Sequence, residues 1–94
     1  MAEVKDVPGQ SRFEIHLDGR RVGVLDYYVS GDTVTMPHTE VDPAYGGRGL
    51  GGELVKNALD DVRSRGRRVR PACSFVRHYI LEHPEYADLV EGAR

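Results

Sequence analysis

Apolar and polar residues alternate cleanly over Arg12–Leu17, where Phe13, Ile15 and Leu17 share one face; that is the pattern of a half-buried strand. Asp18-Gly19 follows, a strong hairpin signal, and Arg21–Val29 returns as a second strand. Its apolar phase slips between Val24 and Leu25, which predicts a bulge there or cover on both faces. Ser30-Gly31-Asp32 turns the chain into a third strand, Thr33–Val41, rich in β-branched residues. The period then changes. Leu50, Leu54, Val55, Ala58, Leu59 and Val62 recur at helical spacing, and Gly66 suits a C-terminal cap. Arg67–Pro71 reads as a short strand. Phe75, Val76, Tyr79 and Ile80 mark a second amphipathic helix, broken at His83-Pro84. Tyr86, Leu89 and Val90 form a last short helical turn. Residues 1–11 are polar, with Pro8-Gly9 as a breaker, so residues 1–10 are expected to be a flexible lead-in.

The order is β-β-β-α-β-α. It predicts an α+β (mixed α/β) domain: a three-strand antiparallel meander, a helix, a parallel fourth strand and a C-terminal helix. The third strand, the helix and the fourth strand make a crossover unit, and such units are right-handed. That topology sets Asp42–Gly49 at the carboxyl end of a strand and the amino end of a helix. The chain has 94 residues, enough for a single domain over 1–94, and no repeat or linker divides it. With 39% apolar and 30% charged residues it has the mix of a folded soluble protein. No apolar run approaches the ~20 residues of a membrane-spanning helix, and Met1–Asp6 carries no secretory signal. A lone cysteine, Cys73, excludes an internal disulfide and a Cys-rich zinc site. These features point to the cytoplasm, with no membrane partner.

Charge sharpens the picture. The net charge of −2 provides no general attraction to nucleic acid, and none is expected as a partner. Of the 13 basic residues only Lys5 and Lys56 are lysine. Arg63, Arg65, Arg67, Arg68 and Arg70 crowd together. A guanidinium fork suits phosphate oxygens, so this cluster reads either as a solvated face or, in part, as a phosphate site.

The segment Gly46-Gly47-Arg48-Gly49-Leu50-Gly51-Gly52 needs a physical reason, because each glycine weakens a helix by about 1 kcal/mol against alanine. Missing side chains let a ligand lie on the backbone, where free N–H groups and the helix dipole favour phosphate. The plain alternative is a tight turn with close helix packing. A Walker A loop is excluded, since Glu53 follows Gly52 and no Lys-Ser/Thr pair is present. Gly47-x-Gly49-x-x-Gly52 spells a dinucleotide fingerprint, but Arg70, Pro71 and Ala72 stand where its acidic residue belongs.

The loop Val41-Asp42-Pro43-x-Tyr45-x-Gly47-Arg48-Gly49-Leu50-Gly51, after a strand and before an amphipathic helix, resembles the acyl-CoA loop of the GNAT (GCN5-related) N-acetyltransferases. His38-Thr39-Glu40-Val41 before it and Pro71-Ala72-Cys73-Ser74-Phe75-Val76 after it resemble the minimal, single-domain members of that family. The likeness covers about residues 10–90. It implies acetyl-CoA (coenzyme A) as cofactor, with Val41, Gly46, Gly47, Arg48, Gly49, Leu50, Gly51 and Gly52 around the pyrophosphate. The pantetheine arm would then enter between the third and fourth strands. Pro37 supports such a gap, since it has no N–H to give a neighbouring strand. Gly46 departs from the wider family, which places Gln or Arg there, so the pyrophosphate would rest on backbone N–H groups with Arg48 as helper. The closing β-hairpin of larger members also has no counterpart after Val90, which leaves the acceptor side open.

Four residues are candidates for chemistry. Cys73 opens the second helix, where the dipole and free N–H groups favour a thiolate; it reads as a nucleophile, a thioester neighbour or a small buried hydrophobe. His38, placed by alternation on the face of Val34 and Met36, reads as general base and as a partner for Cys73, or as a hydrogen-bonded core histidine. Glu40 is the second candidate base. Tyr79 is either a proton donor to the leaving thiolate or a core aromatic. Thr39 and Ser74 could bond the thioester carbonyl or pantetheine amides, and Ser74 could instead cap its helix. Tyr45 reads as a loop anchor. His16, His78 and His83 lack metal-ligand spacing, so no metal is expected. The leading expectation is acetyl transfer to a small amine or a protein lysine, either directly or through Cys73, by a monomer or weak dimer. The alternative is a non-catalytic acyl-CoA-binding or protein-interaction module.

Overall fold

The computed structural model describes residues 2–92. Its strands are β1 (Ala2–Val7), β2 (Arg12–Leu17), β3 (Arg20–Ser30), β4 (Thr33–Val41) and β5 (Arg68–Arg70), and its helices are α1 (Leu50–Ser64) and α2 (Ser74–Glu82). Short 3₁₀ turns occupy Pro8–Gln10, Pro43–Tyr45 and Pro84–Leu89. The strands form one sheet in chain order, antiparallel except for the parallel pair β4–β5 across α1. The expected meander and crossover unit are both present.

The amino terminus differs from expectation. Residues 2–7 are a paired edge strand, with Val4 opposite Ile15 and Asp6 opposite Phe13. Ala2 and Val4 pack on the core. The third place of that alternation is Asp6, whose carboxylate accepts a 2.6 Å hydrogen bond from the Tyr27 hydroxyl. A polar residue that satisfies a buried-side hydroxyl hid the strand.

The irregularities of β3 and β4 also fall elsewhere. Pairing is regular through Val24 and Leu25. The extra residue on β3 is Val22, between Arg21 opposite His16 and Gly23 opposite Ile15. On β4, Met36 and Pro37 together oppose Tyr27 alone, between Asp26–His38 and Tyr28–Thr35. This second bulge changes the alternation of everything after it.

The core lies on one face of the sheet. Leu50, Leu54, Val55, Ala58, Leu59 and Val62 of α1 are buried against Phe13, Ile15, Leu25, Met36 and Val69. Each larger side chain contributes about 1.5–3 kcal/mol on burial. α2 lies beside α1, with Phe75 against Gly51 and Tyr79 against Gly52. The carboxyl-terminal segment closes the β5 edge: Val90 bridges Val69 in parallel, and the Glu91 N–H donates to Val69 O at 2.9 Å. The other sheet face carries Arg12, Glu14, Asp26, His38 and Glu40 by register. Glu14 is only 9% exposed there because Arg12, His16 and Arg21 fold over it. Among the described residues no helix is long and apolar enough to cross a membrane.

Candidate active site

β4 runs into a tight turn. Asp42 accepts from the Ala44 N–H at 2.9 Å, and the Tyr45 and Gly46 N–H groups donate to Asp42 O and Pro43 O. The chain then turns through Gly47 and Gly49, both at left-handed φ (+80° and +75°), which glycine adopts without a Cβ clash. Gly49 is the N-cap of α1, and the first helical bond runs from the Glu53 N–H to Gly49 O at 3.1 Å. The N–H groups of Gly47 through Gly52 thus donate to no main-chain carbonyl among the described residues. They sit at the positive end of a 15-residue helix. Tyr45 packs on the core, as expected of an anchor, and the Arg48 guanidinium lies 5.2 Å from its ring centre.

These residues border a cleft of about 290 Å³, walled by Thr39 and Val41 of β4, by Tyr45 and by Phe75 of α2. One glycine has a packing reason instead of a ligand: a Cβ on Gly51 would stand 2.8 Å from Phe75 Cζ. Tyr45 and Phe75 were not expected in the cleft wall. Their signal, an aromatic on each side of the glycines, is weak in the sequence.

Beyond Thr35 and Arg70 the β4–β5 ladder stops. Pro37 gives no N–H, and Met36 O instead accepts from the Cys73 N–H at 2.9 Å. The two strands therefore part where the sequence places Pro37, and Cys73 stands at the opening as N-cap of α2. Its thiol donates to Thr39 Oγ1 at 3.7 Å. Burial raises the Cys73 pKa, but the N–H of Val76, the Thr39 hydroxyl and the N–H groups of Phe75 and Thr39 outweigh it, leaving the thiol below its ordinary value. No full capping bond forms to the helix, so those amides act by favouring the charged sulfur.

His38 does not share the face of Val34 and Met36. The Met36–Pro37 bulge turns it over, so His38 lies opposite Asp26, and Glu40 opposite Val24. Thr39 and Val41, opposite Leu25 and Gly23, face the cleft instead. Directly paired residues point the same way, which puts His38 and Glu40 on the uncovered face. His38 Nε2 and Glu40 Oε1 are 3.0 Å apart, and the His38 side chain is 54% exposed. The expected Cys73–His38 pair is therefore replaced by Cys73–Thr39.

Tyr79 is seated away from the cleft wall. Its ring stacks on His83 at 3.9 Å and lies against Gly52, and burial holds its hydroxyl above the ordinary tyrosine pKa. Ser74 is exposed and does not cap α2; Cys73 holds that position. The arginine cluster is largely engaged. Arg63 pairs with Asp88 at 2.9 Å, Arg65 with Asp61 at 3.0 Å and Arg70 with Glu91 at 2.8 Å, while Arg68 donates to Asp88 O at 2.6 Å.

Comparison with known proteins follows the same lines. A family model described as GCN5-related N-acetyl-transferase matches residues 12–89. Protein NATD1 of Xenopus tropicalis is 35% identical over 75 residues, which span 78% of this chain and 69% of that protein. The solution structure of a GCN5-like protein from Staphylococcus aureus superposes with a TM-score of 0.72 at 24% identity, over 98% of this chain and 90% of that one. A GNAT family acetyltransferase from Brucella melitensis, solved in complex with acetyl-CoA, gives 0.58 at 21% identity, over 72% and 50% of the two chains. The two structural likenesses show a shared fold.

Proposed function

The chain belongs to the GCN5-related N-acetyltransferase family, and from that membership we propose that it binds acetyl-CoA and transfers the acetyl group to an amine. The carrying observation is the set of unpartnered N–H groups from Gly47 to Gly52 above the cleft. Such donors at a helix start fit a diphosphate, and the glycines leave room for it, with nothing within 4 Å of a Cβ built on Gly47 or Gly49. Arg48, held over Tyr45, is near enough in the chain to add a cation. Acetyl-CoA, when bound, supplies an acyl group activated as a thioester.

The protein's own residues then divide the work. Val41, Tyr45 and Phe75 shield the cleft from water. Thr39 keeps the Cys73 sulfur at the parting of β4 and β5. His38 and Glu40, on the face that no helix covers, can take the proton of an amine arriving from that side. In a direct route the amine attacks the thioester carbonyl, its proton passes to His38 or Glu40, and coenzyme A leaves as thiolate. In a two-step route the Cys73 thiolate attacks first, giving acetyl-Cys73 and the coenzyme A thiolate. The amine then attacks the acetyl carbonyl of acetyl-Cys73, its proton passes to His38 or Glu40, and the Cys73 thiolate leaves. The acceptor class is a small amine or an exposed protein lysine, since no helix covers the face that carries His38 and Glu40 and both side chains are exposed there.

Incubation with isotope-labelled acetyl-CoA and a mixed pool of amines and peptides tests this by mass spectrometry. Label on an amine above the uncatalysed background is the expected result. Binding with no transfer would leave only a CoA-binding module. Cys73→Ala with turnover near the parent rate would remove the covalent route.

A further inference from the structure

The two edges of the sheet are treated differently. Along β5 the carboxyl-terminal segment lies as a cover, with Val90 bridging Val69 and the Glu91 N–H on Val69 O. Along β1, the other edge, no further strand pairs among the described residues. The ladder shows which main-chain groups this leaves open. The Tyr27 N–H donates to Ser11 O at 3.0 Å, and the Asp42 N–H to Val22 O at 2.8 Å. Alternation along β3 then turns the main-chain groups of Leu25 toward β2, and those of its partner Phe13 toward β3. The alternate residues of β2, Arg12, Glu14 and His16, therefore turn toward β1, where they stand opposite Val7, Lys5 and Glu3. Ala2, Val4 and Asp6 are left with N–H and C=O groups that point outward, and none of their N–H groups donates to a main-chain acceptor elsewhere among the described residues.

An open edge is a template for another strand, and the side chains of β1 select the strand. Ala2 and Val4 lie on the core side. Glu3 and Lys5 lie on the opposite side, where their charged ends are 3.9 Å apart and 70% and 52% exposed. An antiparallel pair centred on Val4 sets Glu3 against the partner's Lys5 and Lys5 against the partner's Glu3. Val4 then meets the partner's Val4, and Ala2, with the smallest side chain of the strand, meets the partner's Asp6. Moving the centre by one residue sets glutamate on glutamate or lysine on lysine, which is destabilising directly across a sheet. A lysine on an edge ordinarily guards it; with Glu3 two residues away the guard becomes a register. We propose that β1 is the interface with a second copy of this chain, paired antiparallel about Val4. The contact is isologous and closes at two copies, and the covered β5 edges end the joined sheet. It does not depend on the acetyl transfer proposed above.

The test is sedimentation equilibrium of the full chain over a range of concentrations. We expect a reversible rise from the 10.5 kDa chain mass toward twice that value. Glu3→Lys or Lys5→Glu alone sets like charges at both cross-strand pairs, since the two-fold axis repeats each substitution. Either is expected to weaken the dimer about tenfold. The double variant, which exchanges the two charges, is expected to return to the parent affinity, and an equal mixture of the two single variants to associate more tightly than either alone. Val4→Pro removes an outward N–H and no ladder bond to β2; it is expected to abolish association while the circular dichroism of the fold is kept. The proposal is overturned by a chain that stays monomeric at every soluble concentration, by a dimer that survives Val4→Pro, or by a double variant no tighter than the single ones.

Discussion

The loop at residues 47–52 keeps its main-chain donors free, whereas most arginines between Arg63 and Arg70 commit theirs within the chain. Flexibility explains the contrast. A guanidinium on a long stem can fold back onto Asp61, Asp88 or Glu91 and satisfy itself. A backbone N–H fixed at the start of a helix has no such freedom, and a glycine has no side chain to cap its neighbours. Donors held free at a helix start are available to a ligand; donors that have found a partner hold the fold together.

The largest effect is expected from Gly49→Val. A β-branched residue at φ +75° adds roughly 1–2 kcal/mol of strain where α1 begins. Calorimetry should find acetyl-CoA affinity at least tenfold weaker, while Arg70→Ala stays within twofold of the parent. Equal losses would erase the distinction between the regions.

Tyr86→Phe probes the other side of it. The Tyr86 hydroxyl donates to Asp60 at 2.6 Å from a buried ring, and a hydrogen bond to a charged group contributes about 1.5–3 kcal/mol. Chemical denaturation should show a loss of that order with acetyl-CoA affinity unchanged.

Thr39→Val tests the thiol at the parting of the strands. Without the hydroxyl the thiolate loses one of the groups that lower the Cys73 pKa. The pH midpoint of iodoacetamide labelling should move up, and labelling at neutral pH should slow by roughly two- to fivefold; Thr39→Ser should restore both. A profile that does not move would remove Thr39 from the site.

The smallest effect belongs to Asp88→Asn. Arg63 holds the Asp88 carboxyl below its ordinary pKa. The contribution of Asp88 is therefore present above the usual aspartate range and lost as pH falls through the folded-state value. Thermal melts of parent and variant should differ slightly at neutral pH, since the pair is exposed, and converge in acid.

Much of this architecture is legible in the hydrophobic pattern. β2, β4 and α1 follow directly from two- and 3.6-residue periods, and the glycine loop falls where the crossover requires it. Three features escape. β1 carries Asp6 in its third inward place, and only Tyr27, 21 residues away, gives that carboxylate a reason. The bulge at Met36–Pro37 depends on pairing with β3, which local alternation does not encode, so His38 falls on the other face. The arginine cluster has its partners Asp88 and Glu91 some 21–25 residues downstream, and proximity in sequence is a poor guide to such pairs. Pro37 succeeds as a signal because its effect, a missing donor, is local.

The most direct measurement is an amide NMR titration of the chain with coenzyme A, which cannot turn over. The account predicts the largest shifts at Gly47–Gly52, smaller ones at Thr39 and Cys73, and none at Arg63, Arg68 or Arg70. Unmoved glycine amides, or shifts centred on those arginines, would contradict it.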